Sequence, residues 1–245
     1  MLLNLFNSFI SNVNVAFVLT AVICAVIAYI LGSLNFGIIV SKLLYKEDVR
    51  KSGSGNAGST NMLRTYGKKA AAFTFLGDCG KTAIAMGIGF LFMEFHGMFL
   101  AGVFCMIGHT YPVFFKFKGG KGVACFAILV LITSIAMGMW YLFVILFVIF
   151  AVIVLGMKYV SLGSVVCALL YPVLFNRFVE MAANASDAPE TVLILHSFEI
   201  YAVLAAFLVV FMHRSNLARL FKGTENKTIL IKKKDKTSKE GGEKK

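Results

Sequence analysis

From Val123 to Leu155 the chain reads VACFAILVLITSIAMGMWYLFVILFVIFAVIVL, thirty-three residues without a charge. A bilayer core about 30 Å thick takes about 20 apolar residues as a helix. The stretch is therefore either one long tilted crossing or two short ones turning near Gly138–Trp140. The basic residues decide between them. Other apolar runs place helices near 15–44, 69–93, 98–116, 159–176 and 196–213. Splitting the stretch into 123–138 and 140–156 puts segments 42–69 and 116–121, Lys158 and the tail from Arg214 on one side. These carry seven, three, one and eleven Lys/Arg, 22 of the 24 in the chain. Only Arg177 faces the other way, and Lys81 lies inside a helix. Unsplit, Lys158 and the tail would move to the outer face, against the enrichment of cytoplasmic loops in Lys and Arg. The expectation is an all-α integral membrane protein, a bundle of about seven transmembrane helices with the N-terminus outside and the C-terminus cytoplasmic.

Composition leads to the same class, since 59% of the 245 residues are hydrophobic and 15% charged, too little polar surface for a water-soluble domain. No polar stretch is long enough for a separate domain. Residues 1–231 are expected to form one polytopic membrane domain, and the Lys-, Glu- and Gly-rich tail 232–245 to stay disordered for want of apolar content. The first basic residue is Lys42, so the chain opens without the charged segment of a secretory signal and its first apolar run reads as a retained helix. Segment 177–195, with Glu180, Asp187, Pro189 and Glu190, reads as a solvated outer loop. The net charge of +12 lies between apolar runs and in the tail, which points to anionic lipid and phosphorylated substrates and away from nucleic acid. Cys24, Cys79, Cys105, Cys125 and Cys167 are scattered through apolar runs and read as buried thiols, neither disulfides nor metal ligands.

Three polar segments carry the chemistry. Gly53–Gly67 reads GSGNAGSTNMLRTYG. Gly53, Gly55 and Gly58 let backbone amides converge, Ser54, Asn56, Ser59, Thr60 and Asn61 offer side-chain hydrogen bonds, and Arg64 adds a planar charged fork. That set suits a phosphate, where a bland Gly/Ser run would be a flexible connector. Gly108–Ala124 reads GHTYPVFFKFKGGKGVA, with Gly119, Gly120 and Gly122 around Lys121 at the start of a helix. Amides, helix dipole and a compact cation would make an anion cradle there; the plainer alternative is a tight turn with lysines at the membrane surface. It is no Walker loop, because Phe115 occupies its first glycine position and Gly122 replaces Ser/Thr. Gly80-Lys81-Thr82 imitates the end of such a loop, but Asp78 and Lys81 are three apart inside a helix and read first as a structural ion pair, and second, as charges inside a membrane helix, as functional candidates behind the site. His213–Glu225 reads HRSNLARLFKGTE, in which His213 and Asn216 share a helix face and Glu225 can pair with a basic residue. Alone it would be the basic end of a last helix. All three segments fall on one side of the membrane, which makes them one anion site at the bilayer surface.

There is no H-E-x-x-H, no G-x-S-x-G, and no His with Asp five residues on, so no metal, cofactor or conventional acid-base dyad is expected. An already activated donor substrate would need less help from the protein.

Taken together, GSGNAGSTNMLR at 53–64, GHTYPVFFKFKGGKGVA at 108–124 and His213, Asn216, Arg219, Leu220, Gly223 and Glu225 resemble the acyl-phosphate:glycerol-3-phosphate acyltransferases of bacterial membranes, the PlsY family. The resemblance implies a seven-helix bundle in the plasma membrane with a cytoplasmic-side site. It also implies transfer of an acyl group from acyl phosphate to the 1-position hydroxyl of glycerol 3-phosphate, giving lysophosphatidate and inorganic phosphate. Ser54 and Arg64 match the family's functional serine and arginine, Lys121 with its glycines the phosphate loop, and His213 and Asn216 the polar pair of the third motif. The expected catalytic residues are therefore Ser54, Arg64, Lys121, His213 and Asn216. Gly53, Gly55, Asn56, Thr60, Asn61, Gly119, Gly120 and Gly122 are expected to bind substrate phosphate. Implied partners are acyl phosphate, glycerol 3-phosphate, membrane lipids and an enzyme that hands over acyl phosphate. Ala57, Ser59 and Cys125 stand where proline, alanine and threonine are common in that family. The rival reading is a transporter or channel for a phosphorylated solute, which would want a basic site near the midplane reachable from both faces.

Overall fold

A computed structural model describes residues 15–184 and 196–227 of the chain. Among the described residues there are nine α-helices: α1 Val15–Gly32, α2 Phe36–Tyr45, α3 Ser59–Tyr66, α4 Lys68–Thr110, α5 Val123–Ala136, α6 Trp140–Met157, α7 Val160–Asn184, α8 Glu199–Met212 and α9 Arg214–Phe221. No strand occurs among them. The expected tail 232–245 and residues 185–195 of the expected outer loop lie outside the described residues.

The charge-free stretch breaks where its glycine permits. Gly138 has φ +71, a conformation that L side chains rarely adopt, and Met139 N–H turns back to Ser134 C=O at 2.7 Å. The outward side of α6 is as apolar as its inward side: Val144, Phe147, Val148, Val152 and Leu155 are all exposed, as expected of a lipid-facing helix. By length and composition, four helical stretches could cross a membrane, or five if the bent pair α8–α9 (55°) is one span. The apolar α5, at 14 residues, is shorter than any of these four stretches.

The helix α4, 43 residues long, folds back on itself. Met93 and Glu94 leave helical geometry, and Glu94 has φ +50. Across this turn Gly89 lies against Gly97, Met86 against Gly102, Thr82 against Cys105 and Asp78 against His109. Such nested pairs mean two antiparallel arms. Gly89 and Gly97 are needed for the approach, because a Cβ on either would sit 2.0–2.2 Å from the carbonyl oxygen of the other. In the same way, a Cβ on Gly32 would meet Cys105 O at 2.2 Å and one on Gly108 would meet Tyr29 O at 2.2 Å, so α1 lies directly on the second arm.

Three boundaries differ from expectation. The helix expected over 15–44 is interrupted at Ser33–Asn35, where Asn35 Oδ1 accepts Ile38 N–H at 3.2 Å and starts a new helix. The second arm ends at Thr110 and not at 116, because Pro112 disfavours helix in the residue before it and cannot donate to the helical ladder. Finally, α7 runs to Asn184, so residues 177–184 are helix and not loop. Val179 is fully buried there, and Arg177 pairs with Glu180 one turn on at 2.8 Å.

The largest core cluster joins α4 through α8 around Phe99, which stacks on Phe198 with centroids 4.9 Å apart. This aromatic packing lies toward the Met93–Glu94 end. At the opposite end, the segments 46–67 and 111–122 and the stretch after α8 come together, and that is where the site forms.

Candidate active site

Loop one is held by its own side chains. Asn61, at the start of α3, accepts Ser54 N–H at 2.8 Å and donates to Val49 C=O and Ser52 C=O at 3.1 and 3.0 Å. The turn it encloses needs Gly53 (φ +62) and Gly55 (φ +72), and a Cβ on Gly53 would meet Asn61 Oδ1 at 2.2 Å. Arg50 then ties this loop to loop two. One edge of its guanidinium grips Asp48 at 2.7–3.2 Å, and Nη1 donates to Phe115 C=O and Lys118 C=O, both at 2.8 Å. The hydrogen bond from Arg50 holds the Asp48 carboxyl below the usual carboxylate range.

The amides of loop two are already used. Gly119 N–H donates to Thr110 C=O and Gly120 N–H to His109 C=O, both at 3.1 Å. Open amides lie instead at the starts of two helices. Neither Gly58, which caps α3, nor Gly122, which caps α5 with φ +77, supplies a side chain, so the first turns keep N–H groups without protein partners. Gly58, Ser59 and Thr60 at one helix start, and Gly122, Val123 and Ala124 at the other, line a single cavity.

That cavity measures about 630 Å³ and is lined by all five expected catalytic residues, Ser54, Arg64, Lys121, His213 and Asn216. Of the expected phosphate-binding residues, Asn56, Thr60, Asn61 and Gly122 reach its wall. Gly53, Gly55, Gly119 and Gly120 do not: the first two shape the loop-one turn. The second two let loop two pass against His109, where a Cβ on Gly120 would lie 2.1 Å from Nε2. The Gly119 and Gly120 amides of the expected glycine cradle are thus engaged within the protein, and the open N–H groups on the cavity wall are those at two helix N-termini. Asn61 reaches the wall with its side chain already engaged in the scaffold.

The cations of the site differ in kind. Arg64 is exposed and makes no hydrogen bond or ion pair with any described residue. Lys121 reaches across to Asn216 Oδ1, and Asn216 Nδ2 donates to Glu225 Oε1 at 2.5 Å. Glu225 also accepts from Arg219 Nε at 2.7 Å and Ser161 Oγ at 2.9 Å, which joins the third motif to α7. Burial pulls the Lys121 ammonium down to about 8; Glu225 opposes this, while Arg219 and Arg64 add to it. For Glu225 burial acts upward, but its bonds to Asn216, Arg219 and Ser161 prevail and hold it below the ordinary glutamate range. His213 Nδ1 lies 2.7 Å from Val209 C=O, which can only accept, so Nδ1 carries the proton and Nε2 is the ring nitrogen left to the cavity.

Below these groups the cavity continues as an apolar groove, walled by Phe126, Ala127, Val130 and Leu131 of α5 and by Phe143, Leu146, Phe147, Phe150 and Val154 of α6. It therefore joins a polar, cationic mouth to a hydrocarbon slot. Asp78, kept from the sequence as a functional candidate behind the site, reaches this wall, as do Ser161, Ser164 and His109, which sequence reasoning did not place there. The serines carried no motif, and the position of His109 depends on the fold-back of α4.

The profile of the family described as glycerol-3-phosphate acyltransferase matches residues 22–223. The chain belongs to the glycerol-3-phosphate acyltransferase family. A glycerol-3-phosphate acyltransferase of Carboxydothermus hydrogenoformans is 39% identical over 206 residues, 84% of this chain and 95% of its own length. That of Coxiella burnetii is 40% identical over 211 residues, 85% of this chain and 98% of its own. Among solved structures, the glycerol 3-phosphate form of PlsY (YgiH), an integral membrane glycerol 3-phosphate acyltransferase, superposes with a TM-score of 0.68. It shares 32% identity, over 84% of this chain and 94% of that one. Its lysophosphatidic acid form gives 0.66. The chain is accordingly a multi-pass membrane acyltransferase of the PlsY type.

Proposed function

We propose that the chain transfers a fatty acyl group from acyl phosphate to the 1-position hydroxyl of glycerol 3-phosphate at the cytoplasmic face of a bacterial plasma membrane. The observation that carries this reading is the two-part cavity: helix N-termini, Arg64 and Lys121 at its mouth, and an apolar groove between α5 and α6 behind them. A donor with a phosphate head and a hydrocarbon tail fits both parts at once, and a second, small phosphorylated substrate can enter at the mouth. The solved relatives are a glycerol 3-phosphate form and a lysophosphatidic acid form, the acceptor and the product of this reaction.

In the proposed reaction the acceptor hydroxyl attacks the acyl carbonyl, the acyl–phosphate C–O bond breaks, and the hydroxyl proton ends on the departing phosphate. Lysophosphatidate and inorganic phosphate result. Arg64, Lys121 and the amides of α3 and α5 hold the phosphates and stabilise the charge that develops on them. His213 Nε2 accepts a hydrogen bond from the attacking hydroxyl, and Ser54 orients a phosphate oxygen. Asn216 presents Lys121.

The accompanying topology counts seven crossings: α1, the two arms of α4, α5, α6, α7 and α8. The N-terminus is outside and the basic ends of the bundle are inside. Residues 1–231 act as one membrane domain. A transporter would need an opening toward the Met93–Glu94 end, and no observation favours one. The decisive assay incubates purified protein with acyl phosphate and glycerol 3-phosphate, with acyl-CoA in a parallel arm. Lysophosphatidate from acyl phosphate alone is expected; equal rates with acyl-CoA would overturn the donor, and no product from either would overturn the function.

A further inference from the structure

Asp78, Lys81 and His109 are ionisable groups buried within the α4 hairpin, with 1%, 5% and 3% of their surface exposed. Intramembrane charges are costly and need a reason. Lys81 Nζ lies 2.8 Å from Asp78 Oδ1, 2.8 Å from Leu34 C=O and 3.0 Å from His109 Nδ1, and Asp78 Oδ1 lies 3.3 Å from that same ring nitrogen. One edge of the imidazole is thereby fixed from the opposite arm. The other edge faces loop two, with Nε2 where a Cβ of Gly120 would have to be, while His109 and Thr110 carbonyls take the amides of Gly120 and Gly119. Lys121 is the next residue.

We propose that Asp78 and Lys81 act through His109 as positioning residues that set the path of residues 119–122 and hence the place of the Lys121 ammonium. This rests on the reading that Lys121 holds substrate phosphate. Stability alone is a weak reason for a buried ion pair, since apolar pairs of similar volume commonly replace one without loss of stability. They could not orient an imidazole. The carboxylate also lies 3.5 Å from Phe36 N–H at the start of α2, and the ammonium caps the Leu34 carbonyl. The cluster therefore references loop two to the α1–α2 break as well as to both arms of α4.

The test is the double variant Asp78→Leu/Lys81→Leu, which removes the charges and leaves an apolar contact, with Asp78→Asn beside it as the nearly isosteric change. Each is purified in detergent and its melting temperature measured before kinetics. The expected result is a melting temperature within a few degrees of wild type. The KM for glycerol 3-phosphate should rise about tenfold or more, with kcat falling less. Wild-type kinetics in the folded double variant would reduce the pair to a structural one. If the double variant fails to fold, Asp78→Asn decides on the same KM-against-kcat split, unchanged kinetics again overturning the proposal. Wild-type enzyme in the same assay separates the two readings, since its failure to turn over these substrates would count against the function and not against the positioning.

Discussion

Asn216 stands between two charges, its Oδ1 accepting from the Lys121 ammonium while its Nδ2 lies 2.5 Å from a carboxylate oxygen of Glu225. Only an amide satisfies both sides at once. Asn216→Leu should lower kcat/KM on the order of 100-fold, the scale of one hydrogen bond to a charged group. Asn216→Asp should do no better, because its new carboxylate meets that of Glu225. An Asp variant markedly more active than the Leu variant would mean that pairing with Lys121 is all that matters.

Lys121 should set an alkaline limit on activity. With its ammonium pulled down to about 8, the residue is charged below that pH and neutral above it, so affinity for a phosphate is present at lower pH and lost as pH rises. In free enzyme kcat/KM for glycerol 3-phosphate should fall about tenfold per unit beyond pH 8. Lys121→Arg should remove that limb while lowering the plateau, since a guanidinium stays charged but presents a different geometry. A wild-type profile flat to pH 10 would refute the assignment.

Two glycines of similar appearance should behave oppositely. A methyl group on Gly120 would lie 2.1 Å from His109 Nε2, so Gly120→Ala should displace loop two and raise the KM for glycerol 3-phosphate. Gly80, in the Gly-Lys-Thr imitation of a phosphate loop, has no neighbour within 4 Å of the place a methyl would take, and Gly80→Ala should be kinetically silent. It should be stabilising by up to about 1 kcal/mol, the helix-propensity gain. Kinetics and melting temperatures of the two variants check both statements, and a damaging Gly80→Ala would revive the loop that the helix geometry dismisses.

Ala127 is a small residue on the wall of the apolar groove. Ala127→Phe should fill part of the slot, so long-chain acyl phosphates should lose about tenfold or more in kcat/KM while donors of about eight carbons lose little, as expected where methylenes can no longer be buried. Competition between donors of different length reads this directly; equal losses for all lengths would place the acyl chain elsewhere.

What the sequence made legible was the apolar framework and the chemistry of its loops. The helix break at Gly138 followed from charge counting, and Ser54, Arg64, Lys121, His213 and Asn216, singled out by residue type and by the family pattern, line one cavity. The direction of backbone amides was not legible. A Gly-Gly-Lys-Gly run can equally present its N–H groups to a ligand or bury them against a neighbour. Which of these occurs depends on His109, brought there by a turn at Met93–Glu94 whose φ of +50 no glycine announces. The short α3 was hidden for a related reason, since Gly, Ser, Thr and Asn mark a loop and a helix start alike. Asn35 did carry a cap signal, masked by the apolar residues around it.

The spacing of Asp78 and Lys81 bears on how the chain enters the bilayer. Because they lie three residues apart and pair at 2.8 Å, the first arm of α4 can satisfy both charges within one turn of its own helix. Each unpaired charge at a helix centre would oppose insertion by about 2.5–3.5 kcal/mol. As an internally neutralised segment, the arm can enter the apolar phase without waiting for His109 of the second arm to pack against it.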